Sequence, residues 1–187
     1  MPNVIVISGA NGAGKSTLAP FLLRDTFGIL EYVNADTIAE GLSAFAPEKA
    51  AFEAGKTMLK RLDELAAERR DFAFETTLAS RSYAKRIFDL KSAGYRFHLI
   101  FLWLESAQLA VERVRSRVRS GGHNIPETTI RRRYERGRAN FVNLYKPLAD
   151  SWQVFNASKE IPQKIAFGDK IGGEKIFRQM LWRQINK

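Results

Sequence analysis

The chain has 187 residues, 30 Lys plus Arg against 20 Asp plus Glu, a formal charge of +10 and no cysteine. That length, with 45% hydrophobic residues, predicts one globular domain over residues 1–187 with a sizeable core. The absence of Cys excludes a disulfide frame, a thiolate zinc site and a cysteine nucleophile, and two His argue against a His-built metal centre.

The elements are predicted in chain order as strands alternating with helices. Val4–Ser8 is a β-branched strand, followed by Gly-rich sequence and a helical pattern from Ser16 to about Arg24. Ile29–Val33 reads as a second strand, and Pro47–Arg70 as a long helix with Phe52, Leu59, Leu62 and Leu65 as its apolar positions. Phe72–Phe74 is a short strand and Ser80–Ser92 a helix stopped at Gly94. Phe97–Leu104 is apolar without alternation, as in a strand buried on both faces of a parallel sheet. Its longest unbroken apolar run, Leu99–Leu104, is far short of the roughly 20 residues of a membrane span. No signal peptide fits either, so a cytoplasmic location without membrane contact is expected. Ser106–Arg119 is helical, with Ala107, Ala110, Val111, Val114 and Val118 on one face. After Gly121-Gly122, Ile125-Pro126 opens a helix whose inward stripe is Ile130, Tyr134, Phe141 and Tyr145. Trp152–Phe155 is a fifth strand, and the tail holds a small hairpin around Gly168–Gly173 and a last amphipathic helix. The alternation predicts an α/β fold: a five-stranded parallel sheet with helices on both faces.

Gly9-Ala-Asn-Gly-Ala-Gly14-Lys15-Ser16 matches G-x-x-x-x-G-K-[ST], the Walker A phosphate loop. Such a match arises by accident in on the order of one chain in a hundred of this length, and the flanking strand and helix lower those odds. Gly9, Gly12 and Gly14 let successive N–H groups turn inward toward phosphate oxygens. The backbone of Asn11–Gly14, the Lys15 ammonium and the following helix N-terminus, with Ser16 and Thr17, form a cradle for a nucleoside triphosphate. Ser16 is placed to ligate Mg²⁺. Other nucleotide-binding classes lack their marks: there is no N-K-x-D, and the D-x-x-G of Asp169–Gly172 falls too late in the chain.

A kinase of a small molecule needs a carboxylate at the acceptor hydroxyl, an acid near the metal and a basic lid. Asp36, just after the second strand, fits the first role, as proton acceptor or aligning group, and equally fits a helix N-cap. Glu75, with Thr76, ends the third strand and could hold Mg²⁺ through water or bind the acceptor. Glu105 is a weaker competitor with a capping role. Residues 112–138 carry nine Arg, no Lys and three Glu, hence +6 of the +10. Arginine rather than lysine suits paired phosphate oxygens, and the Gly pair between two basic helices reads as the hinge of a lid. Helical spacing favours Arg117 and Arg133 as phosphate contacts, with Arg113 and Arg131 behind them; His123 organises the loop.

The phosphate loop, Asn34-Ala-Asp36, Phe74-Glu-Thr-Thr-Leu78, Gly121-Gly-His-Asn-Ile-Pro126 and Arg131-Arg-Arg-Tyr134 together resemble the zeta toxin family of P-loop kinases, over residues 3 to about 160. The resemblance implies ATP with Mg²⁺ as phosphoryl donor, Asp36 as base toward a sugar hydroxyl, lid arginines on the phosphates and an antitoxin partner. In the best-known members the acceptor is UDP-N-acetylglucosamine. The insertions that build their uridine-sugar pocket have no counterpart here, so the expected acceptor is left as a small hydroxylated metabolite. Two alternatives use the same loop: a kinase of polynucleotide ends, disfavoured because no stacking aromatics interleave with the arginines, and a non-catalytic ATP-dependent switch that binds a partner protein.

Overall fold

The computed structural model describes residues 1–187. In chain order the elements are β1 (Asn3–Gly9), α1 (Lys15–Ala19), β2 (Tyr32–Val33), α2 (Ala35–Leu42), α3 (Pro47–Ala67), β3 (Phe72–Thr76), α4 (Ser82–Ser92) and β4 (Arg96–Trp103). There follow α5 (Ala107–Arg119), α6 (Glu127–Asn140), α7 (Lys146–Leu148), β5 (Ser151–Asn156), β6 (Gln163–Asp169), β7 (Gly173–Ile176) and α8 (Gln179–Ile185). Two segments, Pro20–Thr26 after α1 and Phe141–Tyr145 after α6, wind more loosely as π-helix. At the first, Pro20 has no N–H with which to continue the α-helical ladder.

One sheet runs β2-β3-β1-β4-β5-β6-β7. The first five strands in this order are parallel, and β6 and β7 are antiparallel. The sheet therefore has seven strands and is mixed, not five-stranded and parallel. The predicted tail hairpin exists, but its first arm pairs with β5 from Ser151↔Asp169 to Asn156↔Gln163 and so joins the main sheet. The second strand is shorter than predicted: pairing with β3 starts only at Tyr32, and Leu30 is exposed.

Alternation along the central strands splits the core in two. Val4, Val6, Phe97, Leu99 and Phe101 point to one face, against Met58, Leu62 and Leu65 of α3, Ile87 and Leu90 of α4 and Trp182 of α8. Ile5, Ile7, Ile100 and Leu102 point to the other, against Leu23, Ala110, Val111 and Val114. The inward face of α3 is thus Ala54-Met58-Leu62-Leu65, while Phe52 is 76% exposed. Each face is a single apolar stripe, and Phe52 lies outside the one that meets the sheet.

The stripe predicted for α6 is real but is shared between the two cores. Ile130 and Tyr134 belong to the second face, whereas Phe141 and Tyr145 belong to the first, with Phe141 stacked on Phe101 at 4.3 Å between centroids. The helix and its π-helical extension therefore cross the carboxyl ends of the strands. That is the end of a parallel sheet where ligands bind.

Candidate active site

The loop between β1 and α1 returns its backbone on itself, with Ala13 N–H bonded to the Ala10 carbonyl at 3.1 Å. Gly12 takes φ +80°, and a Cβ there would lie 2.9 Å from Cβ of Arg113; a side chain is excluded by both conformation and space. Lys15 is buried, its Nζ donating to the Ala10 carbonyl at 3.1 Å and lying 4.0 Å from Glu75 Oε1. Burial pushes the Lys15 pKa down, opposed by the nearby carboxylates of Glu75 and Asp36.

Glu75 leaves the end of β3 beside this loop. Its Oε2 accepts hydrogen bonds from Ser16 Oγ at 2.9 Å and from the Tyr32 hydroxyl at 2.5 Å, while Asn34 Nδ2 donates to Ser16 Oγ at 3.3 Å. Burial, and then the charge of Glu75, push the Tyr32 phenol up, so it stays a donor. Tyr32 carries no motif; a polar group in a short apolar strand beside Asn34 is the one signal the sequence offers for its bond to Glu75. Thr76 Oγ1 accepts from the Leu78 N–H at 3.1 Å and shapes the turn after the strand. Leu78, fully buried, sits at φ +58°, a left-handed conformation costly for a branched side chain. The turn is held from above. The carbonyl of Thr77 would lie 2.3 Å from a Cβ on Gly137, Asn140 Nδ2 donates to the Leu78 carbonyl at 2.8 Å, and the Tyr145 hydroxyl donates to that of Ser80 at 2.5 Å.

Asp36 is not the N-cap of α2. Asn34 is, its side chain accepting the Asp36 N–H at 2.8 Å, which leaves the Asp36 carboxylate free of capping duty. Glu105 is not the cap: Ser106 caps α5, and Glu105 Oε1 accepts from Asn156 Nδ2 at 2.8 Å.

The arginines divide. Arg133 Nη1 reaches Asn11 Oδ1 at 3.4 Å, and burial lowers its pKa while Asp36 opposes the shift. Arg117 Nη2 donates to the His123 carbonyl at 3.2 Å, and its buried Nε–H has no protein acceptor, a costly state for a donor unless a ligand satisfies it. Both lie close enough to Lys15 to lower its pKa. Arg113 and Arg131 are engaged elsewhere. Arg113 donates to the carbonyls of Gly12, Ala157 and Ser158 at 3.3, 2.7 and 2.9 Å; Arg131 is held by Glu127 at 2.8 Å and Gln108 at 2.5 Å. The Gly pair closes α5 as a helix stop. Gly121, at φ +91°, donates to the Val118 carbonyl, and Gly122 donates to that of Arg117, the paired bonds of a Schellman motif.

Ser16, Lys15, Glu75, Asp36, Arg117 and Arg133 are thus brought to one end of the sheet; Thr17 lies exposed on the first turn of α1. Residues 1–161 match the Zeta toxin family. An uncharacterized protein of Haemophilus influenzae is 31% identical over 130 residues, 70% of this chain and 91% of the relative. Among solved structures, a chain of the AvrRxo1-ORF1:AvrRxo1-ORF2 complex has the same fold over the whole chain, with a TM-score of 0.81 at 15% identity when crystallised with sulphate ions. A structure of that complex with ATP gives 0.77 at 16% identity over the whole chain. This chain spans 64% of the length of its AvrRxo1 counterpart. The PezAT toxin–antitoxin system of Streptococcus pneumoniae gives 0.65 at 17% identity, over 83% of this chain and 69% of that one. With the phosphate loop, the strand order around it and a match over most of its length, the chain belongs to the Zeta toxin family and has the P-loop kinase fold.

Proposed function

We propose that this protein is a kinase that moves the γ-phosphate of Mg-ATP to a hydroxyl of a small metabolite, in one domain whose lid spans about residues 112–138. The observation that carries the reading is the position of Asp36. Asp36 lines one cleft with Arg133 of α6, which reaches Asn11 of the phosphate loop, so a hydroxyl on Asp36 would face a phosphate held by Lys15 and Arg133. Family membership and the ATP in the AvrRxo1 complex support the donor.

In this reading the loop N–H groups of Asn11–Gly14 and the Lys15 ammonium hold the β and γ phosphates, and Arg117 and Arg133 neutralise charge as the bond to the leaving phosphate lengthens. Asp36 accepts the hydroxyl proton or holds that hydroxyl in line. The donor set fits Mg²⁺: Ser16 and Glu75 offer hard oxygens 2.9 Å apart, and such a cation is held by few protein ligands besides phosphate. Bound there, it would offset phosphate charge. The toxin–antitoxin setting of the PezAT structure supports a protein partner that restrains the enzyme.

Asp36→Asn is expected to lower phosphoryl transfer by about 10²–10⁴-fold while ATP affinity changes little. Labelled-ATP transfer and equilibrium binding measure the two; unimpaired transfer in the variant would remove Asp36 from the mechanism.

A further inference from the structure

Beside Asp36 lies a cleft of about 320 Å³, near the lower end of the roughly 300–1,000 Å³ usual for small-molecule sites. It lies between the first turns of α2 and α3 and the segment from His123 to Arg133. Arg133 is common to this cleft and to the phosphate loop, through Asn11, so the cleft is where an acceptor would meet the donor. Ala35, Ala39 and Ala51 keep one wall shallow and apolar, and Ile125 and Pro126 line the other. That geometry suits the face of a single saturated ring.

The charges lining the cleft are unequal. Asp36 and Glu48 are carboxylates, and Arg133 is the one lysine or arginine among the lining residues. Arg133 already faces Asp36 and the phosphate loop. Glu48 stands in the first turn of α3 and lines the cleft, and its carboxylate makes no side-chain hydrogen bond or ion pair with the rest of the chain. A nucleoside diphosphate joined to the acceptor would bring two negative charges into a wall that offers no further lysine or arginine. An ammonium group would meet Glu48.

We infer that the acceptor is a compact polyhydroxylated amine of about one hexose ring, its ammonium on Glu48 and its reacting hydroxyl on Asp36; this rests on the kinase reading above. The hydroxyl oxygen forms a bond to the γ-phosphorus of ATP as the bond to the β-phosphate oxygen breaks. The hydroxyl proton passes to Asp36 and then to solvent, leaving a phosphate monoester and ADP.

The test is phosphoryl transfer from labelled ATP by the full chain to three probes: glucosamine, N-acetylglucosamine and UDP-N-acetylglucosamine. The expected result is a kcat/KM for glucosamine at least about ten-fold above the other two, one charge contact being worth on the order of a factor of ten. In Glu48→Gln that advantage should vanish, by a rise in KM for glucosamine alone. A preference for either acetylated probe, or an advantage that survives in Glu48→Gln, overturns the inference and leaves the kinase reading intact. Transfer to none of the probes by an enzyme that binds ATP counts against both.

Discussion

At the scale of single residues, the structure separates arginines whose donors the fold occupies from arginines with donors left over, although the sequence presents them as one basic cluster. Arg113 satisfies three backbone carbonyls and ties the phosphate loop to the segment after β5. Arg113→Ala strands those acceptors and should lower unfolding free energy by about 1–3 kcal/mol, read by urea denaturation. Arg133 makes one long hydrogen bond, so Arg133→Ala should leave the urea midpoint nearly unchanged and cost at least about ten-fold in transfer, as for loss of a charge contact in the transition state. Equal stability losses in the two variants would refute the division. Helical spacing ranks Arg117 and Arg133 first because it reports which flank of the apolar stripe a side chain leaves from. Spacing could not show that Arg113 turns back under the phosphate loop, since its carbonyl partners lie at Gly12, Ala157 and Ser158, distant in sequence and carrying no side-chain signal. Tyr32 escaped for a related reason: a phenol buried against Glu75 is specified by the β2–β3 pairing alone.

At the scale of elements, the end of α5 is where backbone geometry sets the Arg117 side chain. Gly121 closes the helix in a left-handed turn, so Gly121→Ala should destabilise by about 1 kcal/mol. Gly122 has an ordinary φ, but a Cβ there would sit 2.6 Å from Arg117 Cγ. Gly122→Ala should therefore displace the Arg117 side chain and lower turnover while stability changes less than in Gly121→Ala; activity assays alongside thermal melts distinguish them. The order of the helices and the five parallel strands could be read from apolar periodicity, and so could the tail hairpin. Its place in the main sheet could not, because β6 lacks clean alternation: Ile165 and Ala166 are buried side by side, where the pairing with β5 shifts register at Val154 and Phe155. The assignment of Phe52 to the core of α3 failed similarly: both flanks of that helix carry large apolar side chains, and only the tertiary fold selects Met58 and Leu62.

At the scale of the whole molecule, two features far from the site tie distant elements together. Asp150 joins α4, β4 and the β6–β7 turn, accepting from Lys91 at 2.5 Å, the Phe97 N–H at 2.8 Å and Lys170 at 2.9 Å. Burial acts to raise its pKa, but these partners outweigh burial and bring it down to about 2 from 3.8. A depressed carboxyl adds stability above its ordinary value and loses it as pH falls through the folded value. The stability gap between the protein and Asp150→Asn, about 1–2 kcal/mol near neutrality after allowing for partial exposure, should close as pH drops from 3.8 to about 2; a gap independent of pH would exclude the linkage. The second feature lies beyond residue 161, where the family match ends. Trp182 of α8 stacks on Trp152 at 5.3 Å and 2°, under the Lys146 ammonium. Trp182→Ala should cost about 3–5 kcal/mol and abolish the coupled near-ultraviolet circular dichroism of the ring pair. The hairpin that precedes α8 also decides how the molecule ends sideways. It covers β5 and leaves as the outermost strands a two-residue β2 on one side and a four-residue β7 bearing Glu174 and Lys175 on the other. Short, charged borders of this kind resist the addition of a strand from another chain, so crowding at high concentration should not lead these sheets to polymerise.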